Sequence, residues 1–106
     1  MTACICMVQE GQISAEQEVA LRRETSAFAQ VKFGAPAEIN WVTVPKGSGY
    51  TEGKLSTSVI VSMTSDRTLS PAQREPLLRE LGQIWEREAA RGPDEVVTVI
   101  RDPDGQ

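Results

Sequence analysis

The residue types that the chain lacks restrict its possible chemistry. Histidine is absent from the 106 residues, which excludes imidazole general bases, histidine-activated nucleophiles and most zinc sites. The two cysteines, Cys4 and Cys6, lie two residues apart in an apolar segment. On a strand they would share one face and could not easily form a disulfide with each other. We therefore expect packed thiols in a reducing compartment, and we expect no metal site and no cofactor.

A glycine-rich segment, 47–54, superficially resembles a nucleotide-binding loop. A phosphate-binding loop needs a six-residue glycine spacing that runs into lysine, then serine or threonine, and then a helix. Here Leu55 follows Lys54, and the next predicted element is a strand. The glycines instead indicate flexibility, and the whole connection 45–56 is predicted to be a functional loop or an arm that contacts a neighbouring subunit.

An internal repeat organises the chain. The segment 13–24 reappears 56 residues later as the segment 69–80. Both copies open with a serine followed three residues later by a glutamine. This spacing is typical of a capping box, in which the two side chains satisfy free amides at the start of a helix. The repeat therefore predicts two similar halves, over about 1–45 and 57–103.

Each half is predicted to contain one helix. The second, over about 71–90, carries an apolar stripe at helical spacing, formed by Leu77, Leu78, Leu81, Ile84, Trp85 and Ala89. Pro76 lies inside this helix and predicts a kink or a delayed start, because proline removes an amide donor. The first helix, over about 15–30, has a predicted inner face formed by Ala20, Leu21, Ala27, Phe28 and Val31.

Segments rich in β-branched residues flank the helices and are predicted to be strands: 3–8, 39–44, 57–63 and 96–101. A helix between two strands makes the strands of each half parallel, with a right-handed crossover. The sequence thus predicts a single α+β domain over 1–106, in which two helices cover one face of a four-stranded mixed sheet. Since several strands are apolar at consecutive positions, we expect another copy of the chain to cover the opposite face.

Charge and hydropathy exclude two classes of partner. The 11 basic and 15 acidic residues give a net charge of −4, the wrong sign for a surface that binds phosphates by releasing counterions. No apolar run approaches the length of a membrane span, and the N-terminus lacks the pattern of a signal peptide. We therefore expect no nucleic-acid partner, no membrane partner and a cytoplasmic location.

The sequence resembles the tautomerase superfamily, which includes the 4-oxalocrotonate tautomerases, the haloacrylate dehalogenases and macrophage migration inhibitory factor. The resemblance covers residues 2 to 103 and rests on the duplicated β-α-β unit, on the strand at the N-terminus and on two segments. The segment 41–47, Trp-Val-Thr-Val-Pro-Lys-Gly, leads into the glycine loop, and the segment 66–74 is similar to the family's Gly-Arg-Ser-x-Glu-Gln-Lys helix opening. The resemblance implies a trimer of fused β-α-β pairs. It also implies isomerisation, hydration or dehalogenation of a small carbonyl compound or unsaturated carboxylic acid.

Thr2 stands where this family has its catalytic N-terminal proline. If Met1 were removed, Thr2 would present a primary α-amine, whose pKa of about 7.7 to 8.0 is lowered by an apolar pocket. Such an amine could act as a general base near neutral pH, or could form an imine with a carbonyl substrate. If Met1 is retained, the two residues merely begin a strand.

The resemblance implies further site residues. Arg67, in the turn before the second helix, falls where the family uses an arginine to hold a substrate carboxylate, and its alternative role is that of a solvated turn residue. Asp102 matches a position where some dehalogenases carry a water-activating acid, and its alternative role is that of a solvated tail residue. Trp41 and Tyr50 could line a pocket, although a tryptophan on a strand more often serves packing. Gln12 occupies the first-half counterpart of Arg67, so that this arginine position of the family is not kept.

Three functional hypotheses from different classes remain open. The first is an active enzyme of the tautomerase superfamily. The second is a catalytically inactive homologue that serves as a small-molecule-binding or assembly subunit, in a homotrimer or in a mixed oligomer with a homologue. The third is a ferredoxin-like domain of unrelated role, which has the same element order but here lacks the aromatic strands typical of RNA binding.

Overall fold

Two β-α-β units build the fold. The computed structural model describes residues 1–48, 50–51, 54–55 and 57–103. In chain order the elements are β1 (Thr2–Gln9), α1 (Ala15–Phe33), β2 (Ala37–Val44), β3 (Tyr50–Thr51), β4 (Lys54–Leu55), β5 (Val59–Thr64), α2 (Pro71–Ala89), a 3-10 turn (Pro93–Glu95) and β6 (Val96–Arg101). Within the described ranges, neither helix has the length and apolar character that crossing a bilayer requires.

The four long strands form one mixed sheet in the order β2-β1-β5-β6. β1 is parallel to β2, β5 is parallel to β6, and the two pairs meet through the antiparallel contact of β1 with β5. The predicted four-stranded mixed sheet with two helices is therefore confirmed. The parallel strands of each unit are direct neighbours, whereas a ferredoxin-like domain has split β-α-β units. The ferredoxin-like hypothesis is wrong for this reason. The short strands β3 and β4 pair with each other inside the connection between the halves.

Both helices begin at the capping boxes that the repeat predicts. The Ser14 hydroxyl accepts from the Gln17 amide at 3.1 Å, and the Gln17 side chain accepts from the Ser14 amide at 2.8 Å. Ser70 and Gln73 form the same pair of bonds at 3.2 and 2.9 Å. The similarity of the two halves is therefore present in their hydrogen bonds as well as in their sequences.

The inner face of α1 differs in part from the prediction. Leu21 is buried as expected, but Ala27 and Val31 are exposed. The buried stripe instead includes Thr25, whose hydroxyl accepts a hydrogen bond from the indole nitrogen of Trp85 at 3.1 Å. This bond satisfies a polar group that would otherwise be costly to bury, and it fixes the rotation of α1 against α2.

The second helix begins at Pro71, so the delayed start predicted from Pro76 is wrong. The capping box satisfies free amides of the first turn, and the helix continues through Pro76 with the loss of one backbone donor. The predicted apolar stripe is confirmed, with Leu81, Trp85 and Ala89 buried against the sheet and α1.

The core lies between the sheet and the helix layer. Cys4 and Cys6 point into it from β1, are almost completely buried, and have their sulfur atoms 3.8 Å apart as free thiols. The other face of the sheet carries a set of partly exposed apolar side chains: Ile5, Met7, Ile60, Val97 and Val99. Because alternate residues of a strand point to opposite faces, both faces of this sheet are apolar.

Candidate functional site

Three predicted site residues lie at one edge of the sheet. β1 begins at this edge, and β5 and β6 end there, since Cys4 pairs with Met63 and Met63 pairs with Ile100. Thr2 is the first residue of β1, Arg67 lies in the turn after β5, and Asp102 follows β6 directly. The topology therefore gathers residues that are up to a hundred positions apart in the chain.

Thr2 is held by the loop between α1 and β2. Its amide donates to the carbonyl of Pro36 at 3.0 Å, and its hydroxyl donates to the carbonyl of Ala35 at 3.0 Å. Only 6% of Thr2 is exposed, whereas Met1 is 76% exposed. The nitrogen atom that would become an α-amine on removal of Met1 thus has a fixed position at the edge of the sheet.

Arg67 lies across the carboxyl-terminal end of α1. Its Nη1 forms an ion pair with Asp66 and donates to the carbonyl of Lys32 at 3.4 Å. The guanidinium carbon lies 5.8 Å from the centre of the Phe33 ring. These contacts suit a cation, because the end of a helix carries partial negative charge and an aromatic face attracts a guanidinium. The side chain is still 53% exposed, so a ligand could reach it.

Asp102 connects the end of β6 to the start of α2. Its Oδ1 accepts from the Leu69 amide at 3.2 Å and from Arg74 Nη2 at 2.7 Å. The same Nη2 donates to the Leu69 carbonyl at 3.0 Å. The side chain of Asp102 is only 12% exposed, which differs from the solvated tail residue considered above. The carboxylate therefore positions the turn that carries Arg67.

Solved structures with the same architecture carry names from one superfamily. A fused 4-OT described as a symmetric trimer superposes with a TM-score of 0.81 at 15% identity, covering 94% of this chain and 84% of that chain. N1, a member of the cis-3-chloroacrylic acid dehalogenase family, gives 0.81 at 14% identity over 94% and 73% of the two chains. A macrophage migration inhibitory factor-like protein from Entamoeba histolytica gives 0.71 at 16% identity over 95% and 87%. The chain has a tautomerase-like fold. No protein-family model and no curated protein matches the sequence.

Arg74 is a site residue of this tautomerase-like fold that sequence reasoning missed. It lies near the start of α2, where the helix dipole disfavours a cation. A cation at such a position needs an acidic partner, and the structure supplies Asp102. A cation at this end of the helix indicates in the sequence that an acidic partner is needed. The partner, however, lies 28 residues further along the chain and could not be identified from spacing.

The two aromatic residues predicted to line a pocket, Trp41 and Tyr50, have different outcomes. Trp41 faces the helices, where it stacks on Trp85 with ring centres 5.8 Å apart and lies 5.2 Å from the guanidinium of Arg22. Trp41 is four residues along β2 from Ala37, the partner of Thr2, which corresponds to about 13 Å along the strand. Trp41 therefore packs against the core and does not line a pocket near Thr2. The backbone of Tyr50 belongs to β3, and its side chain lies outside the described part of the structure.

Proposed function

We propose that this chain is an enzyme of the tautomerase type that acts on a small carbonyl compound or an unsaturated carboxylic acid. The reaction would be an isomerisation, a hydration or a dehalogenation. The support for this is topological, since Thr2, Arg67 and Asp102 belong to segments that lie at the same edge of the sheet. The names of the structural neighbours support the same class of chemistry. The proposal requires no cofactor and no metal.

The proposed general base is the α-amine of Thr2 after removal of Met1. A neutral amine at this position could take a proton from the carbon next to a carbonyl group and return it elsewhere, which is a tautomerisation. The Pro36 carbonyl, which now accepts from the Thr2 nitrogen, would orient the amine. If Met1 is retained, that nitrogen belongs to an amide and has no basic lone pair.

The proposed substrate anchor is Arg67. Its described polar contacts all use Nη1, and the guanidinium has further N–H donors that could form a forked pair with a carboxylate. A carboxylate substrate would compete with Asp66 for this cation. Asp102 would act from the other side, with Oδ1 engaged by the protein and Oδ2 available to orient a water molecule.

We further propose a homotrimer in which the open face of the sheet contacts neighbouring subunits, as the trimeric description of one structural neighbour suggests. On the open face, Met7, Ile60 and Val97 are cross-strand neighbours, and each is 36–44% exposed. Light scattering should give three times the 11.6 kDa of the chain. The variant Val97→Lys should dissociate the trimer into monomers, because an unpaired charge is costly to bury in the interface. The control Val31→Lys on the outside of α1 should remain trimeric. A wild-type monomer would contradict the assembly.

The alternative function is a catalytically inactive binding or assembly subunit, alone or with a homologue. It is supported by the hydrogen bond of the Thr2 amide to Pro36 and by the ion pair that already occupies Arg67. A cytoplasmic location belongs to both proposals, because adjacent free thiols are kept reduced in that compartment.

Intact mass and ketonisation of phenylenolpyruvate distinguish the two functions. An active enzyme should lack the mass of Met1 and should lose about ten- to a hundredfold in activity in the variant Arg67→Ala, which removes a charge-assisted contact. Arg79→Ala is the matched control, since Arg79 is an exposed arginine that forms an ion pair along α2 with Glu75. A chain that retains Met1 and shows no turnover, even as Thr2→Pro with Met1 removed, would support the inactive homologue.

A further inference from the structure

A second pocket lies at the opposite edge of the sheet from the proposed active site. It has a volume of about 310 Å³ and is lined by Gln9, Glu10, Gly11, Gln12, Lys46, Thr57 and Arg91. At this edge β1 and β2 end, and β5 and β6 begin. The volume falls at the lower end of the range found for small-molecule sites.

The repeat relates this pocket to the first site. Thr57 precedes β5 much as Met1 precedes β1, and Gln12 lies in the segment that leads into α1, as Arg67 lies in the segment that leads into α2. Arg91 follows the left-handed residue that ends α2, as Ala35 follows the left-handed residue that ends α1. The duplicated fold therefore brings corresponding segments of the two halves to opposite edges of the sheet. The side chains at the second edge are different, and their chemistry has to be judged separately.

The walls of the second pocket are held in place by Gln12. Its Oε1 accepts from the Gln9 amide at 2.8 Å, and its Nε2 donates to the Thr57 carbonyl at 2.5 Å. One side chain thereby joins the end of β1 to the segment that enters β5. A recess whose walls are already fixed loses little entropy when a ligand binds.

Arg91 supplies a partly unsatisfied cation. Its Nη2 donates to the Gln12 carbonyl at 3.0 Å, and its Nη1 lies 3.6 Å from the carboxylate of Glu95. Its Nε is buried and has no hydrogen-bond partner in the described part of the chain. Because this nitrogen is inaccessible, a ligand would pair instead with the part of the guanidinium that remains exposed, in a side chain that is 22% exposed. Lys46 adds a second positive charge at the same pocket.

We propose that this pocket binds a small hydroxylated monocarboxylate. The carboxylate would pair with Arg91 and Lys46, because a guanidinium and an ammonium group are the cations that the pocket offers. The Glu10 carboxylate, whose Oε1 accepts from the Lys46 amide at 3.4 Å, would accept from ligand hydroxyl groups through its other oxygen. Glu10 and the neighbouring Glu95 disfavour a ligand with several negative charges, such as a phosphate. The proposal does not rest on catalysis at Thr2.

Titration of the amide resonances of the full-length protein with glycerate tests the proposal. Glycerate should shift the resonances of the pocket residues in a saturable manner at millimolar concentrations, whereas glycerol and inorganic phosphate should bind at least tenfold more weakly. Lys46→Gln and Arg91→Gln should each weaken glycerate binding, the latter by about tenfold or more. Lys46→Gln keeps the test decisive if Arg91→Gln does not fold, because Lys46 is exposed.

Arg67→Ala and Arg79→Gln are the matched controls. Both should leave glycerate binding at the second pocket unchanged, because neither residue lines it. The absence of shifts at the pocket, equal affinity for glycerol, or tighter binding of phosphate would each overturn the proposal. Shifts confined to the edge near Arg67 would also overturn it, while supporting the proposed active site.

Discussion

Asp102 gives the sharpest test of the proposed site, because its two suggested roles predict different effects of the same substitution. As a structural anchor, the carboxylate accepts from Leu69 and Arg74 in a setting where only 12% of the side chain is exposed. As a water-activating acid, it would affect turnover and leave folding unchanged. The variants Asp102→Asn and Asp102→Ala separate the two roles.

The expected loss in the free energy of unfolding follows from the hydrogen bonds of Asp102. Asparagine keeps the shape and an oxygen for the Leu69 amide, but loses the charge. Hydrogen bonds to charged groups contribute about 1.5–3 kcal/mol and neutral ones about 0.5–1.5 kcal/mol, so Asp102→Asn should cost about 1 kcal/mol. Alanine leaves the Leu69 amide and the partly buried Arg74 without an acceptor, and should cost about 2–4 kcal/mol. One kcal/mol lowers the Tm of a domain near this size by roughly 4 °C.

Thermal and urea unfolding of the two variants, monitored by circular dichroism, measure these losses in the free energy of unfolding. Asp94→Asn is the control, since Asp94 is an exposed acid in the turn before β6. A double-mutant cycle with Arg74→Met should show coupling, because removing both charges leaves neither one unpaired. Unchanged stability in Asp102→Ala would refute the anchoring role. Loss of turnover in Asp102→Asn with unchanged stability would assign Asp102 to catalysis instead.

Three further predictions concern capping, thiol reactivity and pH dependence. Gly34 and Ala90 end the two helices with φ of 77° and 54°. Because a side chain disfavours this conformation, urea unfolding should show that Gly34→Ala destabilises the protein and Ala90→Gly stabilises it, each by about 0.5–1 kcal/mol. Changes in stability of the same sign for both variants would contradict this. The shared hydrogen bond raises the pKa of the Cys6 thiol and lowers that of the Cys4 thiol. Because both thiols are buried, iodoacetamide should label the native protein about a hundredfold more slowly than the unfolded chain, and rapid native labelling would show that the thiols are accessible. Hydrogen bonds from Thr57 and the Gly92 amide, with Arg91 nearby, lower the pKa of the Glu95 carboxyl. The stability that Glu95 contributes is therefore present above its unfolded pKa and is lost as pH falls through the lower folded pKa. The difference in the free energy of unfolding between the wild type and Glu95→Gln should shrink on acidification, and a difference that is constant with pH would exclude this cause.

The fold could be predicted because its determinants are local. Two capping boxes and four β-branched segments occur in an order that permits few topologies, and the repeat shows that the same unit is used twice. Thr25 could not be predicted as a core residue, because its burial depends on the indole of Trp85, which lies 60 residues away. The same holds for the contact of Asp102 with Arg74. Patterns in a short window record which residues favour a helix or strand, but not which polar groups find partners across the fold.

The duplication has a consequence that reaches beyond the fold. A repeated β-α-β unit joined through an antiparallel pair places the start of one unit and the connecting turn of the other at each edge of the sheet. The two edges of the sheet therefore have related backbones, and the residues that differ between the two halves decide what each edge could bind. At one edge β1 begins with a buried Thr2, and the turn after β5 carries an exposed Arg67. At the other, Gln12 joins the end of β1 to the segment before β5, and the positive charge comes from Arg91 and Lys46. Retaining the scaffold while changing these few side chains would allow the two edges to bind the different ligands that we propose.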